Sequence, residues 1–158
     1  MPEQILTDYE VSDIGAERLW PFPYARLEDA TPTVGNPAAV TSLLPGTQIT
    51  GVVKSLDAGR SLAVLDVTRS KIYKFTVRNV LTYNGGAENT FGAINIGDPV
   101  YYDGSGTMPA GTYLSTAPAD AAAAANPLFG WVVPLDETDT AAKGGATAST
   151  QTCAVMKA

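Results

Sequence analysis

"KIYKFTVRNVL", Lys71 to Leu81, decides how the chain is to be read. Along it Ile72, Lys74, Thr76 and Arg78 are set to face one way, and Tyr73, Phe75, Val77 and Val80 the other. A period of two marks a half-buried β-strand, because successive side chains in a strand point to opposite faces. The charged positions fall on one side, so this strand predicts a sheet with a wet, basic face.

Working back from it, "TRSK" (Thr68 to Lys71) is a turn, and "SLAVLDV" (Ser61 to Val67) is a near-continuous apolar run that suits a strand buried on both faces. "DAGR" (Asp57 to Arg60) is another turn, and "TQITGVVKSL" (Thr47 to Leu56) alternates partly, which makes an antiparallel meander the economical topology. Working forward, the Gly- and Asn-rich "YNGGAENTFGAINIG" (Tyr83 to Gly97) reads as a long loop with a short helix or turn. "DPVYYD" (Asp98 to Asp103) reads as a short strand with Pro99 at its start or on an edge, since proline has no ladder donor. "TYLS" (Thr112 to Ser115) is a further short strand. Asp120 is a fair N-cap for Ala121 to Ala125, but Asn126 and Pro127 close that run too soon for more than a short helix or turn. "LFGWVV" (Leu128 to Val133) is a core strand in which Gly130 permits a bulge or the close approach of another backbone. After the polar loop Asp136 to Thr150, "QTCAVMK" (Gln151 to Lys157) is a last strand, with Cys153, Val155 and Lys157 on one side and Ala154 and Met156 on the other. Short strands at fairly regular spacing with little helix predict an all-β fold, a small barrel or sandwich with at most one or two short helices.

Residues 1–45 read differently, as an extended N-terminal arm preceding a β-rich domain over 46–158. Six of the eleven prolines lie there, and no apolar period is sustained. In "RLWPFPYARL", Arg18 to Leu27, the aromatics Trp20, Phe22 and Tyr24 alternate with Pro21 and Pro23, which imposes extended or polyproline-like geometry. Three large aromatics on so stiff a segment must pack somewhere, either against this protein's own domain or into a groove on a neighbour.

A chain of 158 residues is about one ordinary domain, long enough to bury roughly two thirds of its unfolded surface. It has one cysteine and no histidine, so no intrachain disulfide forms. A zinc site and the Ser-His-Asp and Cys-His nucleophile systems find no support. The net charge of -6 argues against a nucleic-acid binder that works by neutralising phosphates. That charge is uneven. Between Met1 and Asp29 there are seven acidic residues against Arg18 and Arg26, whereas six of the ten cations lie between Lys54 and Arg78 (Lys54, Arg60, Arg69, Lys71, Lys74, Arg78). A solvated strand face accounts for the second cluster, and so does a docking surface for an acidic partner. No signal-like segment or membrane-length apolar stretch is present, and neither a P-loop nor a dinucleotide fingerprint is in order, so no cofactor is expected. Asp98 with Asp103, and Asp136 with Glu137 and Asp139, would in principle serve carboxylate catalysis or calcium, but they sit among turn residues where acids are common for local hydrogen bonding.

The block Ile94 to Val133, with "INIGDPVYYD" followed by "GTYLSTAPADAAAAANPLFGWVV", resembles the bacteriophage capsid decoration proteins, also called head cement proteins; a looser likeness runs through the strands from Thr47 to Val80. Members are small β-rich domains, frequently trimeric, that sit on the outside of an expanded capsid and staple neighbouring subunits of the major capsid protein. The resemblance implies a non-enzymatic structural virion protein, made in the host cytoplasm and located on the capsid exterior, whose partners are the major capsid protein and itself, as a homotrimer, with no direct nucleic-acid or membrane contact. Trp20, Phe22 and Tyr24 are then candidate arm anchors, and Lys54, Lys74 and Arg78 a candidate complementary face. The arm is longer and more aromatic than in the shortest members, which leaves capsid, neighbouring subunit and own domain open as its destination. Two other classes stand beside this one: a carbohydrate-binding β module for host adsorption, needing exposed coplanar aromatics, and a carboxylate enzyme, needing Asp98, Asp103 and Asp136 to converge.

Overall fold

A computed structural model describes residues 32–40, 49–57, 59–60, 62–105, 108–139 and 142–158, together with the backbone of 17–21. The protein is all-β, with eleven strands and no helix among the described residues. It divides into two compact units, Met1–Thr68 and Arg69–Ala158, a division that does not coincide with the expected one at 45/46.

The first unit is a four-stranded antiparallel sheet in the order β1-β4-β3-β2. Its strands are β1 (Glu17–Pro21), β2 (Pro37–Val40), β3 (Ile49–Asp57) and β4 (Leu62–Asp66). The segment expected as an arm thus contributes both outer strands. Extended geometry imposed by proline is also ladder geometry, and the backbone of Trp20 pairs with Ala63. The side chain of Trp20, and all of Phe22 and Tyr24, lie outside the described residues. Ala38, Val40, Val53, Ala63 and Leu65 form the core, with Ile49 and Val67 packed against it. The run expected to be buried on both faces alternates instead: Ala63 and Leu65 are fully buried, Leu62 and Val64 only partly.

The second unit closes into a barrel, β10-β11-β5-β9-β8 and back to β10. Its strands are β5 (Ile72–Arg78), β8 (Pro99–Tyr102), β9 (Leu114–Ser115), β10 (Leu128–Val133) and β11 (Thr150–Lys157). All neighbours are antiparallel except β5 and β9. The alternation of Lys71–Leu81 holds: Ile72, Lys74 and Thr76 are exposed, Tyr73 and Phe75 half-buried, and Val77 buried. Inside, Phe129 meets Phe75 edge-on at 5.8 Å between centroids, and Phe75 stacks on Tyr73 at 5.4 Å. Cys153 and Val155 face the same interior, as the pattern of β11 predicts.

Gly130 does both things expected of it. The β8–β10 register slips between Leu128 and Gly130, which leaves Phe129 as the extra residue and turns its ring into the core. A Cβ on Gly130 would fall on the Met156 carbonyl and lie 3.2 Å from the Lys157 Cα, so only hydrogen fits between β10 and β11.

One expectation is corrected here and another resolved. The Gly- and Asn-rich stretch read as a loop is largely a hairpin, β6 (Val80–Asn84) with β7 (Ala87–Phe91). Gly85 and Gly86 form its two-residue turn with φ of 59° and 85°, the paired positive values that a type I′ turn demands. The alanine run takes the second of its two expected forms, a turn and not a short helix. Asp120 does accept the amides of Ala122 and Ala124, both at 2.9 Å, but the chain reverses at Ala123 and bridges Ala119 to Ala125.

Candidate functional site

The acidic candidates serve local ends. Asp136 accepts from the hydroxyl and amide of Thr138 (2.7 and 2.8 Å), first the hydroxyl and then the amide holding its carboxyl below the usual range. Asp139 is held low by Lys143 Nζ at 2.8 Å and by the Leu135 amide at 2.7 Å. Asp98 accepts the Asn95 amide at 2.7 Å. Among the described residues no three carboxylates or thiols gather as a metal site would require.

Asp103 is different, and its environment was not legible in the sequence. It is 2% exposed, and its carboxylate accepts the Tyr83 hydroxyl, the Ser115 hydroxyl at 2.8 Å and the Ser105 amide at 3.0 Å. It therefore joins the end of β8 to β6 and β9. Ser115 in turn accepts the Ala117 amide at 3.1 Å. Three donors converge on one carboxylate, so the group is satisfied from within the unit.

Arg78, read as part of a basic face, pairs with Glu88 of β7 through Nε and Nη2 at 2.8 and 3.0 Å, with side chains 15% and 12% exposed. The hydrogen bond that the guanidinium donates to Glu88 raises its pKa further, and the charge lies 5.9 Å from the Phe91 ring. The outer side of β5 is thus covered by the hairpin at the Arg78 end. Arg78→Ala would leave Glu88 unpaired in a nearly dry site, a loss of about 2 kcal/mol, below the roughly 3–5 kcal/mol of a fully buried pair because both groups keep some water. Chemical denaturation should show it, with Glu88→Gln in the Arg78→Ala background restoring part of the loss.

The basic cluster itself is divided. Lys54 and Arg60 belong to the first unit, and Arg69, Lys71, Lys74 and Arg78 to the second. Lys54 is the extra residue of a bulge, since Val53 pairs with Leu65 and Ser55 with Val64, and from Lys54 onward β3 becomes exposed. A bulge re-aims a side chain, here a cation. Lys74 stands exposed in β5.

What sequence reading missed is the surface beside Lys74. Pro99, Trp131, Met156 and Ile72 pair in direct register across β8, β10, β11 and β5. They form one apolar row on the outside of a closed barrel. Ile72 is 60% exposed and Trp131 39%. In a barrel whose inner face is already filled by Phe129, Val132 and Val155, these side chains add nothing to the core. Buried Tyr102 and half-buried Tyr101 offer no exposed aromatic pair. Cys153 is fully buried, and that burial pushes its thiol pKa up.

No protein-family model, curated protein or solved structure matches this chain.

Proposed function

We propose that the chain is a structural virion protein of a tailed phage, a capsid decoration protein that binds the outer surface of the expanded head and cements neighbouring subunits of the major capsid protein. The observation that carries this reading is the exposed apolar row on a closed barrel: adhesive area on a rigid body, while the polar groups found buried in the second unit hold that unit together. Trp and Met are enriched where proteins meet, and a contiguous exposed apolar patch marks an interaction surface. Each contact adds surface buried only in the assembled shell, so binding free energy becomes resistance to internal DNA pressure by linkage. Many symmetric copies make weak single contacts sufficient. Trp20, within β1, and Phe22 and Tyr24 remain the aromatic anchors for a partner, Lys54 of the first unit and Lys74 of the second are separate charges offered to an acidic partner, and Arg78 is the residue that holds the hairpin against β5.

The carbohydrate module draws less support. A sugar platform needs coplanar exposed aromatics, whereas Trp131 stands among Pro99, Met156 and Ile72.

The test is co-sedimentation of the purified protein with expanded heads, stripped of decoration, of the phage that encodes it. Wild type is expected to pellet with expanded heads and not with unexpanded ones, and Lys54→Glu to bind roughly tenfold more weakly at low salt, with the difference shrinking as salt rises. Failure of the wild type to pellet with expanded heads sinks the proposal. An arm deletion should stop short of Glu17, since β1 and β2 belong to the first sheet.

A further inference from the structure

We infer that Asn84 is a modification site, where attack by the backbone nitrogen of Gly85 converts the side-chain amide spontaneously to a carboxylate, and that isoaspartate formed there loosens the hairpin β6–β7 from the barrel. This property belongs to the hairpin alone and depends neither on the capsid reading nor on the apolar row.

The chain has six asparagines, and Asn84 alone meets every requirement of the reaction. Attack on an asparagine's side-chain carbon needs a following backbone amide that carries a hydrogen and is not crowded by its own side chain. Asn36 and Asn126 precede proline, which has no amide hydrogen. Asn79 is fully buried, its Nδ2 donating to the Gly145 and Thr147 carbonyls at 2.9 Å and its Oδ1 accepting the Ser149 amide at 2.8 Å. Asn89 and Asn95 precede Thr90 and Ile96, whose branched Cβ crowds the attacking nitrogen. Asn84 is exposed and precedes Gly85 at the tip of the hairpin. Its pair with Ala87 is the last of the ladder, so the Gly85 amide lies beyond it. Among the described residues neither that amide nor the Asn84 side chain makes a hydrogen bond. A methyl on Gly85 or Gly86 would meet nothing within 4 Å, so the tip stands clear and rotates without losing packing.

The step needs only water. The Gly85 nitrogen gives up its proton and bonds to the Asn84 Cγ, the Cγ–Nδ2 bond breaks, and the amide nitrogen leaves as ammonia with that proton, which closes a succinimide ring. Water then opens the ring at either carbonyl, giving aspartate or isoaspartate. In isoaspartate the chain runs through the side chain, so a methylene is added to the backbone ahead of Gly85. A type I′ turn of two glycines, with φ of 59° and 85°, matches the span of its strand pair and has no room for another backbone atom. The pair just inside the turn is Tyr83 opposite Glu88, and these two hold the hairpin to the barrel. Tyr83 donates its hydroxyl to Asp103, and Glu88 accepts from Arg78 at 2.8 and 3.0 Å. A turn that no longer closes therefore disturbs both attachments.

The experiment uses the full folded chain, aged in mildly alkaline buffer and sampled by peptide mapping. Trypsin leaves a peptide from Asn79 to Lys143 that holds five of the six asparagines, so fragmentation compares them side by side. Asn84 is expected to become acidic first, with release of an equal amount of ammonia, while Asn89 and Asn95 stay amides. The rate should rise about tenfold per pH unit, because the deprotonated Gly85 amide is the minor, reactive form. Asn84→Gln has a longer side chain that closes a larger ring, and it should stay unconverted. The isoaspartate form is then isolated by ion exchange, and its backbone hydrogen exchange is compared with that of unaged chain and of Asn84→Asp, which carries the charge without the added methylene. Faster exchange through β7 is expected in the isoaspartate form alone. Asn84 still intact after several times the period in which urea-denatured chain converts, or converting no sooner than Asn89 and Asn95, overturns the site. Equal exchange through β7 in the isoaspartate form and in Asn84→Asp overturns the loosening.

Discussion

Gly130→Ala should unfold the second unit or come close to it. The added methyl would meet the Met156 carbonyl, with its carbon at 2.8 Å, and both are fixed in a ladder that runs from Gly130–Lys157 to Val133–Ala154. Backbone cannot step aside as a flexible side chain does, so β10 must leave β11, and Phe129 with it leaves the aromatic cluster. The expected cost is about 3 kcal/mol or more, a large part of the total stability of an ordinary domain, and a melting point lower by about 12–24 °C. Gly145→Ala is the control, because a methyl there meets nothing within 4 Å. Thermal unfolding followed through Trp131 fluorescence checks both; equal melting points for Gly130→Ala and wild type would show that the two strands are not so close.

Asp103→Ala should be comparably damaging by another route. It removes the acceptor shared by Tyr83, Ser115 and Ser105 and leaves two hydroxyls and an amide without it at the junction of β6, β8 and β9. A buried donor that loses its acceptor costs about 1–3 kcal/mol, in full for Ser115 and in part for the half-buried Tyr83 and Ser105, so a total of about 3 kcal/mol is expected. Asp103→Asn keeps the shape and one oxygen, and should lose only about 1–2 kcal/mol. Urea denaturation of the two variants separates these values. If alanine proved no worse than asparagine, the three hydrogen bonds would not be what fixes the junction.

The parts of the fold that were legible are those that a local pattern fully specifies. Alternation gave β5 its two faces, Pro99 marked the start of β8, and a glycine inside an apolar strand announced the close approach at Gly130. The hairpin β6–β7 escaped because Ala87, Asn89 and Thr90 are exposed, so no apolar alternation marked the strands around the Gly85–Gly86 turn. The ladder role of β1 escaped because Pro21 and Pro23 define extended backbone without saying which strand it lies beside. Asp120 organises its neighbours as a cap would, but a turn at Ala123 offers its carboxylate the same amides as a helix does. The site was less legible still. Pro99, Trp131, Met156 and Ile72 come from four strands scattered over half the chain, and register alone lines them up. Arg78 reads as a surface cation until Glu88 of the hairpin is seen across from it.

The placement of β11 has a consequence for biogenesis. Residues 150–157 lie between β5 and β10, so the barrel has a gap in its middle until they have left the ribosome. The four strands of the first sheet are complete once Asp66 has emerged. Folding during synthesis is therefore staggered: the leading unit is free to form early, while Phe129 and its neighbours wait, exposed to chaperones, for the strand that seals them in.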